Sequence, residues 1–304
     1  MRSRWLVCLI MILVLTFAFR VEAGADAGTV YMLAQESNVE PPLTTWSTLY
    51  TVDTATGAAT KVGDIEHLGA LIQLDDIAWD GYNMFGIASD IYAMTRMYSL
   101  DFLNPIEGRV RATNTGVILE GLGIAGLGVV FGSDGSLLYG GSLLGTTDDG
   151  MAGGLYLLDP NLEMPEYVGP MSTTPGTYTA MGIGPPQMDG GDLAASMLRP
   201  WLYGSVVQAT DEAVIKYSLA IFDLHTGEAT LIGEGWGQTA ITGLAFVVDT
   251  LYGGDFNGNF YRIDTGDGTL TLLGNNGKAQ MGMTSIDWSL PGQRSAPALM
   301  LLLD

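Results

Sequence analysis

Any chemistry in this sequence has to come from its acids, a few aromatics and two histidines. Asp and Glu number 33 against 12 Lys and Arg, giving a formal charge of −21. The candidates in segments of loop character are Trp46, His67, Asp90, Asp149, Tyr178, Glu212 and Trp236, with Glu36, Asp64 and Asp255 beside them. Carboxylates accept hydroxyl protons and aromatic rings stack on the apolar face of a sugar, so this set suits a neutral polyol such as a glycan. Two such acids could also hydrolyse a glycosidic bond, provided one of them keeps its proton near neutral pH. His67 stands beside Glu66 among these loops, whereas His225 falls in a turn and is expected to be solvated. There is no Ser-nucleophile elbow, phosphate-binding glycine loop or His-x-x-x-His pair. Without a basic stripe, nucleic acid and anionic lipid are poor partners.

For metals, Asp148-Asp149 and the run Asp255-Phe256-Asn257-Gly258-Asn259 offer hard oxygens of the kind calcium takes. The run is not an EF-hand loop, because its Gly comes too early and no Glu closes it. Asn257-Gly258 is accounted for by a hairpin turn. Calcium is therefore the one ion the residues suggest, and no metal site or other cofactor is expected.

The elements that would position these side chains follow from an internal repeat. An apolar-Tyr-x-apolar-Asp strand recurs as Leu49–Asp53, Met97–Asp101, Leu155–Asp159, Leu219–Asp223 (with Ala in place of Tyr) and Phe260–Asp264. The intervals between the aspartates are 48, 58, 64 and 41 residues, and the shortest is near the ~40–45 residues of a four-stranded propeller blade. Three copies run on into Asp-x-x-x-Gly and another strand, at Asp53–Gly57, Asp223–Gly227 and Asp264–Gly268. Asp starts such turns by accepting backbone N–H groups, and Gly ends them at positive φ. The five aspartates are thus expected to be turn formers, not catalytic acids.

Upstream of the later copies lie an aromatic-Gly strand (Phe85-Gly86, Tyr139-Gly140, Tyr203-Gly204, Tyr252-Gly253) and an apolar strand before it. The apolar strands are Ile77-Ala78-Trp79, Leu127–Phe131, Met181-Gly182-Ile183 and Leu244-Ala245-Phe246. The first copy begins at Thr29–Leu33 without one, and the chain ends with an unpaired strand, Thr284–Trp288. Pairing the two would close a ring and remove its exposed edges. The expected fold is all-β, a five-bladed β-propeller of four-stranded blades over residues 28–289, its first blade completed by the C-terminal strand. The longest insertion, Pro185 to Pro200, is expected to join the innermost strand of the fourth blade to the next on the face away from the loops, as a partner contact or loop carrying Met188, Asp189, Asp192 and Met197.

These repeats resemble the secreted β-propeller superfamily in which Leu-Tyr-x-Ile-Asp-x-x-Thr-Gly recurs, the quinoprotein-like and related repeats. The resemblance implies architecture, not activity. The Trp positions that lock quinoprotein blades are missing here, so it implies no quinone cofactor.

The N-terminus reads as a secretory signal over residues 1–23, with Arg2 and Arg4, an apolar run from Trp5 to Phe19 and a small-residue cleavage site at Val21-Glu22-Ala23. An uncleaved anchor is the other reading, but 15 residues fall short of the ~20 a membrane helix needs. The single cysteine, Cys8, lies in that leader, so the mature chain would have no disulfide and no thiolate. Residues 290–304 form a separate tail whose apolar end is too short to span a membrane. A secreted, periplasmic or cell-surface location is expected, with no membrane insertion after cleavage. The expected function is non-catalytic binding of a glycan or extracellular protein through the acidic loop face. A glycan-active hydrolase or lyase using loop carboxylates, and a structural envelope component, are the other readings.

Overall fold

The computed structural model describes residues 28–286 apart from 39–43, 90–93, 120–122, 133–134, 145–153, 159–164, 170–171, 175–176, 182–191, 196–200 and 210–214. The expected leader and tail lie outside the described residues. Every regular element among the described residues is a β-strand. Short apolar runs punctuated by Asp-x-x-x-Gly turns leave no stretch with helical spacing, so the chain folds as successive antiparallel meanders.

The first meander joins Thr29–Ser37, Thr45–Val52 and Ala59–His67, and the strand Ala279–Ile286 adds to its open edge with Thr29 opposite Ile286 and Met32 opposite Met283. The last strand therefore does pair with the first. It begins earlier than expected, at Ala279, and Asp287 and Trp288 fall outside the described residues. A second meander, Asp76–Trp79, Met84–Ser89, Thr95–Ile106 and Arg109–Leu119, merges with the first through parallel pairing of Asp64–Glu66 with Arg109–Arg111, and with the short strand Ala70–Leu71 on Glu66 and His67 this makes one nine-stranded sheet. Two four-stranded sheets run Gly123–Gly132, Gly135–Leu144, Gly154–Leu158, Glu166–Gly169 and Ile241–Val247, Thr250–Asp255, Asn259–Ile263, Leu270–Asn275. Between them in sequence lies a six-stranded sheet built on Leu202–Ala209, Ile215–Phe222 and Ala229–Gly237.

That sheet corrects one expectation. Along Leu202–Ala209, Met181 pairs with Val206 and Leu193 with Gly204, so Thr177–Met181 and Leu193–Ala195 lie along the same edge. Leu193–Ala195, expected to be part of an outlying insert, supplies an innermost strand. The sequence pattern hides this because ten residues separate Met181 from Asp192 where an uninterrupted strand would have none.

The core lies between neighbouring sheets. Leu33, Leu49, Trp79 and Phe102 pack where the first two meanders meet, and Val30, Met32, Ala245 and Phe260 pack where the last sheet meets the first meander. The innermost strands Asp76–Trp79, Gly123–Gly132, Leu193–Ala195, Ile241–Val247 and Ala279–Ile286 each pack against the next, and the last packs against the first.

The turn aspartates behave as expected at three sites. Asp53 Oδ1 accepts the N–H groups of Ala55 and Thr56, and Gly57 closes the turn at φ 73°. Asp223 does the same for His225 and Thr226 ahead of Gly227, and Asp264 Oδ1 accepts the N–H of Gly266 ahead of Gly268. Asp159 lies outside the described residues. Asp101 departs from the pattern: its strand continues to Ile106, and the chain turns instead at Glu107-Gly108. Burial of Phe102, 4% exposed, carries the strand past the aspartate.

These turns also lock one sheet to the next. Thr56 carbonyl lies against Gly274, Thr226 against Gly169, Asp267 against Gly233 and Gly108 against Gly63, each so close that a Cβ on the receiving glycine would overlap it. The receiving glycines lie in the strands Ala59–His67, Glu166–Gly169, Ala229–Gly237 and Leu270–Asn275, and the Thr56–Gly274 contact reaches from the first meander to the last sheet. Gly274→Ala is expected to lower stability by about 1–3 kcal/mol, the usual cost of overpacking against unyielding backbone. Urea unfolding would measure it. An unchanged midpoint would show that this contact does not hold the ring together.

Candidate functional site

Two polar arrangements stand out. The first lies on the central axis, where Asp76 and Asp192 are fully buried and hydrogen-bonded to each other. Asp76 Oδ1 accepts the N–H of Ile77 at 2.7 Å and its Oδ2 that of Leu127 at 2.6 Å. Asp192 Oδ1 accepts the N–H of Leu193 at 2.6 Å, while its Oδ2 accepts those of Leu244 at 2.5 Å and Met283 at 3.0 Å. Each of the five innermost strands thus gives one backbone N–H to the pair. The residue before each donor is Asp76, Gly126, Asp192, Gly243 or Gly282. Two carboxyls fill the axis at that level, and a Cβ on Gly282 would overlap Asp76 Oδ1.

Burial, then the charge of Asp192, raises Asp76 well above the carboxylate range. Burial also raises Asp192, to about 7, against the pull of its hydrogen bonds from Asp76 and the backbone. The cause is simple: two carboxylates in contact and out of water cannot both be charged. The residues after the donors, Ala78, Gly128, Ala194, Ala245 and Thr284, border a cavity with about 30 Å³ of room for water centres. That suffices for a water or two, and no substrate ring fits.

The second arrangement is at the loop end of the first meander. Asp64 Oδ1 accepts from Trp46 Nε1 at 3.2 Å and from Thr48 Oγ1 at 2.6 Å, and pairs with Lys61 Nζ at 2.7 Å. Glu36 Oε1 accepts from Tyr50 OH at 2.6 Å and Lys278 Nζ at 2.9 Å, with the Lys278 ammonium also over the Tyr50 ring. Strand alternation puts Trp46, Thr48 and Tyr50 on one face. Partial burial works to raise both acids, but the bonds from Lys61, Thr48 and Trp46 to Asp64, and from Tyr50 and Lys278 to Glu36, outweigh it and hold both below their ordinary values.

Of the residues singled out from sequence, Trp46 belongs to this cluster. His67 lies elsewhere: its Nδ1 donates to Ala112 carbonyl at 2.9 Å and its ring meets Tyr98 edge-on, joining the first two meanders. Trp236 Nε1 donates to Gly268 carbonyl at 2.7 Å, across the junction with the last sheet. The three have no partner in common. Asp90, Asp149 and Glu212 lie outside the described residues, and Tyr178 is placed only as part of the strand Thr177–Met181. Asp255, weighed for calcium, accepts from Asn257 N, Asn259 N, Asn259 Nδ2 and Tyr261 OH, so its oxygens brace a hairpin. Among the described residues no group of three or more His, Cys, Asp and Glu side chains converges in a way that could hold a metal ion.

Asp76 and Asp192 were not recognised from sequence as partners. The signal that could have found them is Asp76-Ile77-Ala78 repeated as Asp192-Leu193-Ala194, beside Gly126-Leu127-Gly128 and Gly243-Leu244-Ala245.

No family model and no curated protein matches the chain. Among solved structures it is similar to two proteins provisionally assigned as 6-phosphogluconolactonases. The one from Bacteroides fragilis is 12% identical, with 88% of this chain and 100% of that one covered, at a TM-score of 0.44. The one from Bacteroides uniformis is 11% identical, covering 86% and 100%, at a TM-score of 0.41. Likenesses at this level carry no argument for fold or activity.

Proposed function

We propose that the chain is an exported five-bladed β-propeller that binds a neutral glycan, without catalysis, through the loop rim around Trp46. The blade count is supported by the five innermost strands that donate to one carboxyl pair. The binding reading rests on how protons divide among the carboxyls. A glycosidase needs an accessible acid that keeps its proton. Asp76 and Asp192 keep theirs but are sealed inside, whereas Glu36 and Asp64 are accessible but held deprotonated. An ionised acid beside a half-buried indole can accept sugar hydroxyls and stack a ring, which is recognition without proton transfer.

A glycan array read with the wild-type chain and Trp46→Ala tests this. Binding of at least one neutral glycan is expected, weakened about tenfold by the loss of the indole, equivalent to ~1.4 kcal/mol. An empty array, with an extracellular protein recovered instead, would move the reading to protein recognition. New reducing ends from a polysaccharide panel would overturn the non-catalytic reading in favour of a hydrolase.

A further inference from the structure

We infer that a hollow at the Asp80–Asn83 hairpin of the second meander, the end away from Ser89 and Thr95, is a subsite for a single neutral hexopyranose ring. It holds about 270 Å³, just below the usual ~300–1,000 Å³ of small-molecule sites, which limits it to one ring. Trp79 and Phe102 back it from the core side, 5% and 4% exposed and packed edge to face with centroids 5.7 Å apart. Tyr82 borders it with 78% of its surface open to solvent, an unusual position for so large a ring. That ring sits on a fixed turn: Asp80 Oδ1 accepts the N–H groups of Tyr82 at 2.7 Å and Asn83 at 2.6 Å, and Asp80 N–H bonds Asn83 carbonyl at 3.1 Å.

The polar side of the hollow carries Asn83, Asp101 and Thr113. Ser99 and Asp101 share a strand face, and Thr113 stands directly opposite Ser99. The extended Thr95–Ile106 strand is what brings Asp101 here, since the matching Asp53, Asp223 and Asp264 turn the chain. An open phenol ring beside a carboxylate, an amide and two hydroxyls matches a sugar with one C–H face and equatorial hydroxyls around its edge. Asp101 and the overall charge of −21 disfavour an anionic sugar. The Trp46 rim is a separate arrangement built on the first meander, where Trp46 and Thr48 bond Asp64.

Titration of the full chain with methyl β-D-glucopyranoside, methyl β-D-galactopyranoside and cellobiose, by saturation-transfer NMR and calorimetry, tests the site. Saturable binding of at least one is expected in the millimolar range, as for a single-ring contact. Tyr82→Ala should weaken it about tenfold and Asp101→Asn several-fold, in line with one lost stacking contact and one lost charged acceptor. Both residues are exposed, and an unchanged thermal midpoint would confirm that the variants fold. Sodium glucuronate should bind more weakly than the methyl glucoside. No saturable binding of the three probes, or binding that survives Tyr82→Ala, overturns the inference. Loss of binding with Trp46→Ala alone would also overturn it, by placing the sugar on the rim, and would leave the rim reading standing.

Discussion

Replacing Asp192 by alanine is expected to leave little folded protein. The substitution strips the acceptor from the N–H groups of Leu193, Leu244 and Met283, all buried on the axis, and from the proton shared with Asp76. Each buried donor left without a partner costs about 1–3 kcal/mol, so the total reaches the ~5–15 kcal/mol that holds a typical domain together. Asp192→Asn should be milder. Its amide oxygen can still face Leu244 and Met283, with the amide nitrogen turned toward Leu193, so one donor is lost at about 1–3 kcal/mol. Soluble yield and urea unfolding of the two variants give the comparison. An Asp192→Ala chain as stable as wild type would show that the axial network does not hold the strands. Asp53→Ala serves as a contrast: its carboxylate is exposed and braces one local turn, so a cost of about 1 kcal/mol or less is expected from the loss of such a cap.

Stability should also fall as pH rises from about 4 toward 7, the opposite of the usual acid-side loss. The axial carboxyls are raised in the folded chain, Asp192 to about 7 and Asp76 well above the carboxylate range. Unfolded, they would titrate near 3.9. Between those values the folded state holds protons that the unfolded state has released, so the stabilisation is complete below the unfolded value and is lost as pH climbs through the folded one. Each proton contributes a slope of about 1.4 kcal/mol per pH unit. Glu36 and Asp64 act in the other direction, since their lowered values give stability that is present above pH ~4 and lost below it. The stability maximum is therefore expected on the acid side of neutral. Repulsion among the excess acids would give some decline on its own, and Asp76→Asn separates the two causes. An amide can supply the hydrogen to Asp192 without titrating, although its nitrogen cannot accept the N–H that a carboxyl oxygen accepts. The variant should be less stable at pH 5 and yet lose less between pH 5 and 8. Urea midpoints across that range would show it, and an equally steep decline in the variant would assign the effect to overall charge.

How much of this was legible beforehand depends on how far apart the partners are. Asp53, Asp223 and Asp264 were recognisable as turn formers because a carboxylate bonding the next two or three N–H groups, with a glycine to close, lies within five residues of sequence. Asp101 has the same preceding pattern and does not turn the chain: a fully buried Phe102 follows it, where Thr54 and Thr265 follow Asp53 and Asp264 and a half-buried Leu224 follows Asp223. His67 and Trp236 had the residue types of a binding site, and the structure places each at a junction between sheets. Of the three candidates whose contacts are described, Trp46 alone bonds an acid that could serve a ligand, Asp64.

The sequence by itself determined the all-β character, the repeating strands, their punctuation and the pairing of the last strand with the first. Those follow from alternation, turn chemistry and complementary ends, which are local properties. The tertiary structure alone decided which acids matter. Asp76 bonds a backbone group 51 residues away, and Asp192 bonds others 52 and 91 residues away. The local echo of Asp76-Ile77-Ala78 in Asp192-Leu193-Ala194 marks two equivalent strand starts, but it does not say that the two side chains meet. Closure of the ring removes both from water and sets them side by side, and that turns two ordinary acids into a proton-holding pair.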